Sequence, residues 1–174
     1  DPNLTYADVI GPGYMAMYAN VNNGPRADNP FGKDKRLRQA FSLAIDREAL
    51  GQIVFEGTSL AGNQPFPSTS PWFNKDLPVP ARDVEKAKQL MKEAGYEKLD
   101  IELQHANNTL QTQAMQVIQS MVAEAGFNAT LKATEFATLL SEQKAGNHQM
   151  RRSDWSGRIA TDGTYHPVLT AEGG

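Results

Sequence analysis

Between residues 34 and 55 the apolar positions fall at helical spacing twice in succession. Leu37, Ala40, Phe41, Ala44 and Ile45 recur in steps of three and four, so they share one face, while Lys35, Arg36, Arg38 and Gln39 cover the other. Asp46 is a residue type that caps helices, and Ala49, Leu50, Ile53 and Val54 form a second apolar set behind it, which predicts a second helix over 47–55. The two helices are expected to meet at Ile45-Asp46 in a stiff corner, with the first laying its apolar face on a sheet.

The flanking segments supply that sheet. Residues 1–13 hold Pro2, Gly11, Pro12 and Gly13 with no sustained period and read as an irregular lead-in. The apolar run over 14–21 predicts a largely buried strand, closed by Asn22-Asn23-Gly24-Pro25. Residues 57–80 are rich in Gly, Pro, Ser and Asn and contain Phe66, Trp72 and Phe73, which predicts an ordered loop with buried rings. Asp83 caps a helix lined by Val84, Ala87, Leu90, Met91 and Ala94 and stopped by Gly95; residues 99–104 then alternate with period two, a strand with one buried face. A helix to about Ala125 follows, with Leu110, Ala114, Met115, Val117, Ile118, Met121 and Val122 inward, and Gly126 stops it. A strand over 128–134, a helix over 135–145 with Phe136, Leu139 and Leu140 inward, and a strand over 149–153 complete the series. The likeness of Glu93-Ala94-Gly95-Tyr96 to Glu124-Ala125-Gly126-Phe127 reads as shared helix-stop chemistry, with a true internal repeat as the alternative. Strand and helix alternate, so the fold class is α/β in layers with right-handed crossovers.

Composition narrows the function. A chain of 174 residues, 40% hydrophobic, is about one domain with an ordinary core. A net charge of −3 with mixed signs offers no basic stripe for nucleic acid and no polybasic face for anionic lipid. No run reaches the roughly 18 apolar residues of a membrane span, and the opening Asp1-Pro2 reads as a mature or excised segment. The chain has no cysteine, which excludes disulfide and thiol chemistry.

Little of the remaining chemistry points to an enzyme. His105, His148 and His166 lack metal-ligand spacing, and no metal or other cofactor is expected. Ser156 stands in Trp155-Ser156-Gly157, half of a nucleophile elbow, which leaves a small Ser-dependent hydrolase as one alternative. A protein-interaction module using the aromatic loop over 57–80 is another. Two loops are better placed to hold a ligand. Residues 105–109 join a strand end to a helix start, where ligands of open α/β sheets sit and where backbone N–H groups favour a carboxylate; His105, Asn107 and Asn108 are the candidates, with the asparagines serving either as caps or as ligand contacts. Residues 154–165 bring Trp155, Ser156, Arg158 and Asp162 together in sequence, a flat indole with a cation and a carboxylate that suits a zwitterionic, partly apolar solute; a plain polar turn over Trp155 is the other reading.

Asn29-Pro30-Phe31, Arg36-Leu37-Arg38-Gln39-Ala40, Ala44-Ile45-Asp46-Arg47-Glu48, Asp83-Val84-Glu85-Lys86-Ala87, Glu93-Ala94-Gly95-Tyr96 and Trp155-Ser156-Gly157 occur in this order and spacing. In these blocks the chain resembles the extracytoplasmic solute-binding proteins of peptide/nickel ABC importers, family 5, from about Tyr14 to Tyr165. The resemblance implies a mixed sheet flanked by helices, one lobe of a periplasmic-binding-protein type II fold, with residues 14–174 as a truncated C-terminal lobe. It implies a peptide or peptide-like solute, no catalytic step, a location at the periplasmic or extracellular face of a bacterial cell membrane, and delivery to an inner-membrane ABC permease. It also implies a missing N-terminal lobe, and an isolated lobe with uncovered apolar surface can self-associate. In typical peptide binders an Asp soon after the loop Trp pairs with the ligand's amino group. Arg158 stands at about that place here and either binds an acidic group or points to solvent, while Asp162 is the nearest matching carboxylate and Ala160 and Thr161 replace the two positions before it.

Overall fold

The computed structural model describes Thr5 and residues 9–156. Arg158, Asp162, His166 and most of the lead-in over 1–13 lie outside the described residues. In chain order the elements are β1 (Tyr14–Ala19), a 3-10 turn (Pro25–Ala27), α1 (Pro30–Lys33), α2 (Lys35–Ala44), α3 (Arg47–Phe55), α4 (Val84–Glu93), β2 (Leu99–Ala106), α5 (Thr109–Ala123), β3 (Phe127–Thr134), α6 (Phe136–Lys144) and β4 (Met150–Trp155). The chain forms two compact units, one made of Asp1–Met15, Gly62–Pro78 and Asp154–Gly174, the other of Ala16–Ala61 and Val79–Ser153.

Among the described residues the sheet has the strand order β1-β4-β2-β3. β2 pairs in parallel with β3 through Leu99↔Phe127 to Ala106↔Thr134, and in parallel with β4 through Leu103↔Met150 and Gln104↔Arg151. Asn20, just past β1, donates its N–H to the carbonyl of Gln149, just before β4 (2.8 Å), so β1 leaves where β4 enters and runs antiparallel to it. The sheet is therefore mixed.

Its two faces differ in chemistry because side chains alternate along each strand. Leu99, Ile101, Leu103, Phe127, Ala129 and Met150 join Leu37, Phe41, Met115, Ile118 and Val122 of the helices in one apolar core. At its centre Phe31, Phe41 and Phe127 pack edge to face, with centroids 5.3–6.3 Å apart. The opposite face carries Tyr18, Arg151, Gln104 and Lys132, with α6 above it.

The helix corner forms as its residues predict. Asp34 caps α2 by accepting from Arg36 N (2.8 Å), and Asp46 caps α3 by accepting from Ala49 N (2.9 Å). Helix stops also fall at the predicted glycines. Gly126 has φ +103°, and a Cβ there would run into the carbonyl of Glu97. Gly126→Ala should therefore cost about 1–3 kcal/mol, read from urea unfolding, since an L side chain meets both a disfavoured φ and a fixed backbone oxygen.

Several sequence expectations are corrected. β1 ends at Ala19, because Asn20 turns its side chain into the carbonyls of Asn23, Gly146 and His148 (2.8–3.1 Å); lying at the sheet edge, the strand is half-buried with Met15 exposed. β2 runs to Ala106 and is buried on both faces past Leu103, as a central strand must be. Ile53 and Leu110 are exposed; Gly51 lies inward on α3, and Gln111 lies inward on α5, where its Oε1 accepts from Ala106 N (2.9 Å). On α6 only Leu139 is buried, while Phe136 is 60% exposed and Leu140 is exposed as well, because this helix meets a polar sheet face through Glu142. The loop over 57–80 is ordered by Gln64, whose side chain bonds both the N–H and the carbonyl of Asn74 (2.9 and 3.0 Å), yet Trp72 is 64% exposed, so its ring is not buried.

Candidate functional site

The β2–α5 loop sits at the carboxyl end of a central parallel strand. His105 is 1% exposed and its Nδ1 donates to the carbonyl of Ala106 (2.9 Å), so the ring belongs to the interior and not to a ligand-facing surface. Asn107 and Asn108 are exposed. Asn107 donates its N–H to the carbonyl of Thr134 (2.8 Å), tying the loop to the end of β3. Asn108 is the cap of α5, its Oδ1 accepting from Gln111 N (2.9 Å).

The start of α6 is already occupied by a carboxylate of the chain itself. Glu135 accepts from Thr138 N (3.0 Å), and the backbone N–H groups of the first turn hold its carboxyl below the usual range. Of the two helix starts that follow β2 and β3, one is thus closed by an amide and the other by a carboxylate.

Trp155 and Ser156 belong to the other compact unit. Trp155 is the last residue of β4, so the strand extends two positions beyond the expected Ser153 and the indole is fixed by a strand end instead of a loop. Trp155 is half-buried and Ser156 exposed. A Cβ on Gly13 would stand 2.9 Å from the carbonyl oxygen of Trp155 and 3.2 Å from that of Ser156, so the chain before β1 passes directly against them. The structure brings Asn107 and Asn108 together on one loop and Trp155 and Ser156 on one strand end.

The described histidines offer Ser156 no exposed base, since His105 and His148 are both buried. Among the described residues no group of three His, Asp or Glu side chains could hold a metal ion, and no helix is long and apolar enough to cross a membrane. Sequence reasoning passed over Gln111 and the polar sheet face. The Asp-Ile-Glu-Leu-Gln alternation over 100–104 and the consecutive Arg151-Arg152 inside a strand were the available signals.

The scaffold that carries these loops is an α/β unit with a mixed sheet. The chain belongs to the bacterial extracellular solute-binding proteins, family 5, whose middle-region model matches residues 1–173. It is 32% identical over 161 residues to a dipeptide-binding protein of Escherichia coli, covering 89% of this chain and 29% of that protein. It is 28% identical over 149 residues to a probable di/tripeptide-binding protein of Pseudomonas aeruginosa, covering 84% and 28%. The chain thus spans less than a third of the length of these relatives. Among solved structures it resembles the periplasmic binding protein DppA of Helicobacter pylori in complex with the peptide STSA (TM-score 0.74, 25% identity, 87% of this chain and 29% of that one). NikA of Staphylococcus aureus in complex with Ni(L-His)2 shares the fold (TM-score 0.79, 18% identity, 94% and 34%).

Proposed function

We propose that this chain is part of the solute-binding component of a bacterial ABC importer, contributing to the C-terminal lobe that contacts a peptide or peptide-like solute. The observation that carries this reading is the family match over residues 1–173, supported by relatives described as dipeptide- and di/tripeptide-binding proteins. In this reading residues 14–174 form the lobe and 1–13 a lead-in. The whole protein works at the periplasmic or extracellular face, closes an N-terminal lobe about a hinge on the solute, and presents it to a membrane permease without a catalytic step.

Trp155 provides an aromatic wall, Ser156 a hydrogen-bonding group, and Arg158 and Asp162 the charges that meet a zwitterion; on the β2–α5 loop, considered by itself, Asn107 and Asn108 are candidates for hydrogen bonds to solute. His105 positions the β2 end and does not touch the solute. Titration calorimetry of the full-length protein with a panel of di- and tripeptides tests this. Trp155→Ala should weaken the tightest ligand about 10–100-fold with the unfolding midpoint unchanged. Unchanged affinity would remove Trp155 from the site, and absence of any peptide binding by the full-length protein would overturn the solute class.

A further inference from the structure

Among the described residues, the polar sheet face carries one buried cation that no carboxylate pairs with. The strand register sets Arg151 opposite Gln104 and Gln104 opposite Lys132, and Arg151 lies 4.8 Å from the centroid of the Tyr18 ring, so one residue from each strand forms a row across the sheet. Arg26 pairs with Glu102 (2.6 Å) and Lys132 with Glu142 (3.1 Å), and those four side chains are partly exposed. Arg151 is 4% exposed; its Nε and Nη1 are buried without a hydrogen-bond partner, and among the described residues no carboxylate forms an ion pair with it. The Tyr18 ring and the unpartnered Oε1 of Gln104 offer dipoles, not charge. The two partly exposed cations, Arg26 and Lys132, thus have carboxylate partners, whereas Arg151, the deepest of the three, has none among the described residues.

A buried cation without a counter-charge is strongly unfavourable, and a guanidinium is not relieved by losing its proton. We infer that Arg151, in its row between Tyr18 and Gln104, seats a small monovalent anion of the chloride class. One of the two unpartnered N–H groups, at Nε or at Nη1, supplies the bond to the ion, since the two point in different directions. His148 lies in the same positive field, buried and affected by both Arg151 and Arg26.

The thermal midpoint of the 174-residue chain, followed in sodium chloride and in sodium gluconate at matched ionic strength, tests the assignment. Gluconate reproduces screening but is too large for such a seat. Chloride should raise the midpoint saturably above gluconate, by about 3 °C or more at tenfold excess over its dissociation constant. Arg151→Met should abolish the chloride increment, while Arg151→Lys, which retains the charge, should keep part of it. If Arg151→Met fails to fold, the wild-type comparison and the lysine variant still decide. Coincident chloride and gluconate curves for the wild type, or an increment that survives in Arg151→Met, would overturn the proposal.

Discussion

Phe41→Ala should cost about 3–5 kcal/mol of stability, enough to unfold a large fraction of a domain whose total is typically about 5–15 kcal/mol. Phe41 is 2% exposed and sits between α2 and the sheet, with its ring 5.7 Å from Phe31 and 5.3 Å from Phe127, both edge to face. Removing it deletes the transfer free energy of one aromatic side chain and two ring contacts of about 0.5–1.5 kcal/mol each, and it leaves a cavity walled by residues from α1, α2 and β3. Those walls belong to three elements tied together at several other points, so they cannot collapse far. Phe41→Leu, which refills much of the volume, should lose about 1–2 kcal/mol. Equilibrium urea unfolding of both variants gives the comparison. Equal losses for Ala and Leu would mean that the ring geometry, and not the filled volume, sets the stability of this core.

That cluster also shows why the apolar half of the fold was legible in the sequence. Leu37, Ala40, Phe41, Ala44 and Ile45 all follow the helical period, and all five are buried. The Asp caps at 46 and 83 and the glycine stops at 95 and 126 are local chemistry, decided within one turn of chain, so spacing alone locates them. What spacing could not supply was the environment on the far side of each element. Phe136 and Leu140 have the same period as buried residues, but the sheet face beneath α6 presents Gln104 and Lys132, and Glu142 docks the helix. His105 at a strand end reads as a ligand contact, yet the strand is central and covered on both faces, which puts the ring inside. Trp72 lies in a loop whose order comes from amide-to-backbone bonds at Gln64 and Asn63, so its ring contributes no core.

The second large effect is a loss of stability in mild acid that traces to His148. This side chain is 6% exposed, and burial, with Arg151 and Arg26 nearby and only Glu142 opposing them, lowers its pKa from 6.5 to about 4. Protonation is therefore harder in the folded chain than in the unfolded one, and between those two values the unfolded chain binds more protons. Stability is complete above pH about 6.5, falls as pH drops through the interval, and loses about 3 kcal/mol from this group by the time pH reaches about 4. Carboxylates act lower down. Asp34, held below the usual carboxylate range first by its bond with Arg36, and Glu142, where burial pushes upward but the bonds from Lys132 and Gln104 outweigh it and leave the carboxyl below its ordinary value, lose their contributions only at more acid pH. Urea midpoints measured from pH 7.5 to 4.5 should thus decline in the wild type and stay nearly flat in His148→Gln, whatever the baseline change from losing the ring. An equally steep decline in the variant would assign the acid sensitivity to other groups and would mean that His148 is charged at little cost inside the fold.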